Sequence, residues 1–343
     1  PGATLLLRLS MLTLAAAFLL SRCQGPDSRL VDTGWHASVD HVYWLDNHRI
    51  LFYGGRPESE IPDERRGAIR IHDIRTGDTQ VYRYRPPGTG LCFYDGWIDY
   101  RATEEELADF PEEPPRRWRG PFGHETLRPL EAPPGYRLVH DRDTCRDTHP
   151  DPLPPHLEDA VRVGPGHGWV TLVRPGDTGT SVWYDDEGGS RTDLGVALRS
   201  SFFRPALFLG GYYQLGPVHS STVQARWQSD ECLKARILEI SNGVPSLADR
   251  CIPWPGFPVN VVFDLALTRH GALVFDEFES RQSPRRTFYL EADSRIPLFD
   301  GQVPGRAAVS PNGCRVALVP RTTGQPNNLT LQYSDLCRLR EEL

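Results

Sequence analysis

One lysine, Lys234, stands among the 38 basic residues of this chain; all the others are arginine. Either residue serves on most solvated surfaces, so a bias this strong reflects codon supply and points to a GC-rich bacterial genome. The chain also has no excess of positive charge, since 45 acidic residues against 38 basic give a net charge of −7. Broad nucleic-acid binding needs a basic face that displaces counterions, and a mildly acidic surface excludes it. Neither an HExxH nor a GxSxG motif occurs, which removes the zincin and nucleophile-elbow signatures. No two cysteines are spaced as CxxC, so neither a metal site nor a cofactor is expected. The one long apolar stretch, LLLRLSMLTLAAAFLL at residues 5–20, is short for a membrane-spanning helix.

That stretch has the plan of a signal peptide. Arg8 ends a positive region, Leu9 to Leu20 supply the apolar core, and polar, turn-rich sequence follows at once. Residues 1–23 are therefore expected to be a signal helix and 24–34 a linker. Leu20-Ser21-Arg22-Cys23 resembles the lipobox of bacterial lipoproteins, although Arg22 stands where that pattern has glycine, alanine or serine. The resemblance implies lipidation at Cys23 and an anchor that holds the protein at a membrane without spanning it. Plain cleavage is the alternative. The expected location is the periplasm or the outer membrane, with secretion as the other outcome.

Beyond Cys23 there are Cys92, Cys145, Cys232, Cys251, Cys314 and Cys337. An even number in an exported chain suggests disulfides. Nearest-neighbour pairing gives Cys92–Cys145, Cys232–Cys251 and Cys314–Cys337; buried free thiols are the alternative.

The organising feature is a recurring strand–turn–strand, strand–turn–strand unit. Its first half appears at 41–54, 161–173, 205–216, 264–278 and 307–319, as two apolar runs around a break rich in Gly, Asn, Asp or His. Its second half appears at 68–84, 180–195, 235–248, 286–299 and 329–337, where β-branched and aromatic residues alternate with polar ones. The stretch 89–150 fits as a further unit that carries an insertion. Such repetition predicts an all-β chain, a β-propeller of about six four-stranded blades, with five or seven as alternatives. The propeller is expected to span 35–340. Ser310-Pro311-Asn312-Gly313-Cys314-Arg315-Val316-Ala317 resembles a hairpin of TolB-type bacterial propellers. In that reading Asn312-Gly313 forms the tight turn, with glycine supplying a positive φ.

Two stretches depart from the repeat. Residues 101–135 are expected as an insertion in the second blade, opening with a short helix, TEEELADF, whose Thr103 and Glu106 form a capping box. Arg116, Arg117, Trp118 and Arg119 follow on a long loop, and that composition suits an interaction surface; a loop folded back over one end of the propeller is the alternative. Residues 140–151 gather His140, Asp141, Asp143, Asp147, His149 and Asp151, but lack the glycine and terminal glutamate of a calcium loop. They are read as a solvated turn pinned by Cys145. His41, His48, His72, His167 and His270 fall at strand ends or turns.

Three functions fit these features. The first is a non-catalytic module that binds a protein or glycan partner in the cell envelope. The second is an envelope hydrolase with its site in the central channel, where facing carboxylates act. The third is a structural accessory lipoprotein. The channel mouth and residues 101–135 are the two places where the difference is decided.

Overall fold

The computed structural model describes residues 29–85, 262–278, 285–291, 294–304, 307–322 and 329–341, and between 91 and 253 the strands with a few turn residues. The signal segment, Cys23 and the expected helix at 103–110 lie outside the described residues, as do Arg116 and His167.

Among the described residues the strands form five antiparallel sheets of seven, six, five, five and four strands, and in chain order they group into successive antiparallel units. The first is β1 (Val31–Trp44), β2 (Arg49–Gly55), β3 (Ala68–Asp73) and β4 (Thr79–Tyr84), with a one-turn helix α1 (Pro62–Arg65) between β2 and β3. The second is β5 (Cys92–Tyr94), β6 (Trp97–Arg101), β7 (Arg117–Pro121) and β8 (Arg128–Pro129). A hairpin of β9 (Arg137–Asp141) and β10 (Thr144–Thr148) leads into the third, β11 (Leu157–Gly164), β12 (Gly168–Val173), β13 (Ser181–Asp185) and β14 (Arg191–Val196). The fourth is β15 (Ala206–Phe208), β17 (Val218–Gln228), β18 (Cys232–Ser241) and β19 (Val244–Pro253), with β16 (Gln214–Leu215) also paired to β17. The fifth is β20 (Val262–Leu267), β21 (Ala272–Phe278), β22 (Arg286–Glu291) and β23 (Ser294–Gln302). The last has β24 (Ala308–Val309), β25 (Arg315–Leu318) and β27 (Thr330–Asp335); β26 (Arg321–Thr322) pairs back to β23, and helix α2 (Leu336–Glu341) ends the chain.

The last unit lacks a strand of its own, and β1 supplies it. Val31 and Asp32 pair with Tyr333 and Gln332 of β27, while Val42, Tyr43 and Trp44 pair with Phe52, Leu51 and Ile50 of β2. A bulge between Ala37 and Val42 lets one strand serve two units. Side chains lock the join. Thr33 Oγ1 donates to the Leu331 carbonyl at 2.8 Å, and Trp44 Nε1 to the Ala308 carbonyl at 2.9 Å. Gly54 is required where the strands meet, because a Cβ there would collide with the His36 carbonyl. Consecutive units that pack on one another, with the first joined to the last through a shared strand, make a closed ring. The fold is a β-propeller.

Among the described residues the core clusters lie between units. Ile50 and Phe52 of β2 are buried with Ala308, Ala317, Val319 and Leu331 of the last unit. Leu51 and Tyr53 of the same strand are buried with Leu91, Ile98 and Tyr100 of the second. Alternate residues of a strand point to opposite faces, so the unbroken run Ile50-Leu51-Phe52-Tyr53 is what a strand covered on both faces requires. A third cluster joins Leu273, Tyr289 and Leu298 of the fifth unit to Val316, Leu318 and Leu336.

Four expectations from the sequence change. The propeller begins at Val31, not at residue 35, because Val31–Thr33 belong to the closure strand. The insertion is narrower than 101–135, since β7 and β8 are the third and fourth strands of the second unit. Within the stretch 89–150, read as one unit, β9 and β10 pair with each other and join the third sheet instead. Of 205–216, read as a hairpin, the described strands β15 and β16 each pair with β17.

Leu51 and Phe52 are fully buried on opposite faces of β2. Leu51→Ala and Phe52→Ala should each lower stability in urea denaturation, by about 2–5 and 3–5 kcal/mol respectively. A strand with one solvated face would lose that much at only one of the two positions.

Candidate functional site

Three hairpin turns meet at one end of the ring, each linking the first two strands of its unit. They are Leu45–His48 between β1 and β2, Thr268–Gly271 between β20 and β21, and Ser310–Cys314 between β24 and β25. Their sequences, LDNH, TRHG and SPNGC, are rich in the residues whose short side chains bond to nearby backbone.

In the first turn the Asp46 carboxylate accepts the His48 and Arg49 N–H groups at 2.8 and 2.9 Å, and Arg49 Nε at 2.6 Å. Burial alone would raise the pKa of Asp46, but these donors outweigh it and hold the carboxyl below its ordinary value. In the second, Thr268 Oγ1 accepts the Gly271 N–H at 3.1 Å, and the Tyr289 hydroxyl, beside Thr268, donates to Glu291 at 2.9 Å. In the third, Ser310 Oγ donates to Asn312 Oδ1 at 2.7 Å and accepts the Arg315 N–H at 2.9 Å. Gly313 has φ +73°, as its place in the turn demanded.

The third turn binds the other two together. Asn312 donates its N–H to Asn47 Oδ1, and Arg315 Nη1 donates to the Asn47 carbonyl, both at 2.8 Å. On the opposite side Arg269 donates its N–H to the Gly313 carbonyl at 2.9 Å. Gly313 is thus glycine twice over, because a Cβ there would stand 2.6 Å from the Arg269 nitrogen. The β3–β4 turn joins the same face through Ile74, whose N–H reaches the His48 carbonyl at 2.9 Å. In that turn the Arg75 side chain and N–H hold Asp73 at a pKa of about 2.

The C-terminal helix closes the assembly. Cys314 and Cys337 form a disulfide, the pairing expected for them. Leu336 donates its N–H to the Cys314 carbonyl at 2.8 Å, and Arg315 pairs with Asp335 at 2.9 Å. Arg340 pairs with Glu291 at 3.0 Å and stands 3.4 Å from His270 Nδ1. The face is a hydrogen-bonded plate of mixed charge. One described polar atom on it is unsatisfied, since the ring nitrogen His48 Nδ1 is buried with no hydrogen-bond partner among the described residues.

The residues singled out from sequence are scattered. Arg117, Trp118 and Arg119 lie on strand β7, opposite Arg101, Tyr100 and Asp99 of β6, and not on a loop. Pairing with β6 overrides a sequence with no apolar alternation. Cys251 is disulfide-bonded; Cys232, its expected partner, lies on the adjacent strand, two residues out of register with it. β5 and β10, which carry Cys92 and Cys145, belong to different sheets that approach one another. Of the acidic stretch at 140–151, His140 and Asp141 lie on β9 and Asp147 on β10, with Asp141 opposite Thr144, while Asp143, His149 and Asp151 lie outside the described residues. His72 is buried within β3, its Nδ1 2.9 Å from Thr79 Oγ1 and its pKa lowered by burial. Asn47 and Arg269, which tie the turns together, were not anticipated. The asparagine in LDNH was the one available sign.

No family model matches the chain, and no curated protein sequence does. Among solved structures the chain resembles the β-propeller domain of the trilobed protease from Pyrococcus furiosus, at 9% identity over 84% of this chain and 78% of that one, with a TM-score of 0.29. It also resembles TolB from Acinetobacter baumannii, at 14% identity over 75% of this chain and 55% of that one, TM-score 0.27. A puromycin-hydrolysing peptidase from Mycobacterium tuberculosis matches at 11% identity over 86% and 50%, TM-score 0.32. The chain spans about half the length of the last two. The propeller class rests on the strand order and ring closure of this chain, not on these likenesses.

Gly313→Ala should lower stability more than Gly77→Ala, by about 1–3 kcal/mol. Both glycines have a positive φ, +73° and +78°, but a Cβ on Gly77 meets nothing within 4 Å. Equal losses in urea denaturation would mean that the Arg269 contact does not hold the turns together.

Proposed function

We propose that this chain is an exported bacterial propeller that binds a protein or glycan partner without chemistry, through the face built by the three turns. The observation that carries this reading is His48 Nδ1. A buried ring nitrogen left without a partner costs about 1–3 kcal/mol, and it lies on a plate whose turns are otherwise tied by hydrogen bonds. The His48 side chain as a whole is only half-buried, so a partner that turns the ring can meet the nitrogen and recover that cost, while the bonded turns lose little freedom on binding.

One further feature supports binding over hydrolysis, and another supports export. The Asp46 carboxyl is held below its ordinary value by its donors, and that of Asp73 by Arg75. A general acid needs a carboxyl whose pKa is raised. The disulfides at Cys314–Cys337 and Cys251 suit an oxidising compartment, in line with a signal segment at 1–23 and a lipid anchor on Cys23. The stretch that includes Arg116, Arg117, Trp118 and Arg119 is the second place where the partner is expected to touch.

Site-specific photo-crosslinking in cells tests the reading. Arg269 and Glu60 are both exposed, at the turn face and on the β2–β3 connection at the opposite end of the strands. A photoreactive residue at 269 should give a discrete adduct that is lost in His48→Ala, and one at 60 should not. Equal adducts at both positions, or none at 269, contradict the proposal. In the same cells Cys23→Ser should release the protein from the membrane fraction; unchanged partitioning refutes the anchor.

A further inference from the structure

The disulfide corner holds more chemistry than a cross-link. A ring nitrogen of His270 and the two sulfurs of Cys314 and Cys337 all lie within 4.8 Å of one another. They come from three elements, the β20–β21 turn, the β24–β25 turn and helix α2. Each is positioned by bonds that do not involve sulfur: Arg269 N–H to the Gly313 carbonyl at 2.9 Å, Leu336 N–H to the Cys314 carbonyl at 2.8 Å, and the Arg315–Asp335 pair. Opening the disulfide therefore leaves all three groups in place.

We propose that reduction of Cys314–Cys337 turns this corner into a soft-metal site, with two thiolates and the His270 imidazole as ligands and a fourth position open. A dithiol gives two electrons and two protons to the disulfide and becomes a disulfide itself. The metal then displaces the two thiol protons, which pass to solvent. Two sulfurs and one imidazole suit Zn²⁺ or Cu⁺. Tetrahedral zinc with bonds of about 2.3 Å to sulfur and 2.0 Å to nitrogen sets its ligand atoms roughly 3.5–4 Å apart. The three ligand atoms already lie within 4.8 Å of one another.

One arginine beside the site tunes its affinity. Arg340 lies 3.4 Å from His270 Nδ1 and pairs with Glu291 through Nε at 3.0 Å. Its charge favours thiolates over thiols once the bond is open, but it opposes an arriving cation. Disulfide and metal exclude one another, so the corner reports the redox state of its surroundings.

The test uses the whole chain reduced with a water-soluble phosphine, which takes oxygen from water, becomes the phosphine oxide and leaves no chelating dithiol. Cobalt(II) stands in for zinc, because its thiolate charge-transfer band reports sulfur ligation directly. The reduced wild type should give that band, and zinc should displace it. Cys314→Ser/Cys337→Ser should abolish it while Cys92, Cys145, Cys232 and Cys251 remain. His270→Ala should weaken cobalt binding at least about tenfold, and Arg340→Gln should tighten it. Where reduction alone diminishes the far-UV circular dichroism, cobalt should restore it in the wild type but not in the double variant. A band of equal strength in the double variant, no change in His270→Ala, no band in a folded reduced wild type, or no recovery with metal would each overturn the proposal.

Discussion

Strand β2 has a neighbour on both faces, and for a strand of the first unit that condition is met only if the row of sheets has no end there. An open row would leave one face of the first unit and one of the last in water. Here those faces belong to β2 and β25, with Ile50, Phe52, Ala317 and Val319 all buried. Each buried Phe or Ile side chain is worth about 1.5–3 kcal/mol relative to exposure. Strand β1 removes the end by pairing with β27 through its first residues and with β2 through its last. The rest of the architecture follows from that single strand.

Closure also explains where the candidate site lies. Because β1 brings the first and last units together, Asn47 and Asn312 meet although 265 residues separate them. The fifth unit reaches the same point through Arg269. A site built from turns of three blades is rigid for the reason that the ring is rigid. Hydrogen bonds between turns cross from blade to blade, just as the core clusters do. The disulfide at Cys314 and the helix that carries Cys337 fasten the last blade at this corner.

The sequence showed the parts of this plan that are local. The run Ile50 to Tyr53 was readable as a strand, and Asn312-Gly313 as a turn with positive φ. Cys314 and Cys337 were readable as a pair because little chain separates them. What escaped was non-local. Val31–Thr33 carry no strong strand pattern, and their pairing is decided by β27, far along the chain. Arg117–Pro121 read as a charged loop, because RWRGP has neither alternation nor β-branched residues, yet β6 draws it into a sheet. The bonds from Asn47 and Arg269 to the third turn depend on how blades are juxtaposed, which no window of sequence contains.

Amide hydrogen exchange along β1 tests ring closure most directly. If β1 closes the ring, the amides of residues 31–37 that face β27 should exchange only on global unfolding, as slowly as those of residues 50–53 in β2. Rapid exchange of 31–37 beside a protected β2 would show a fraying N-terminal segment instead, and would contradict the account of a closed propeller.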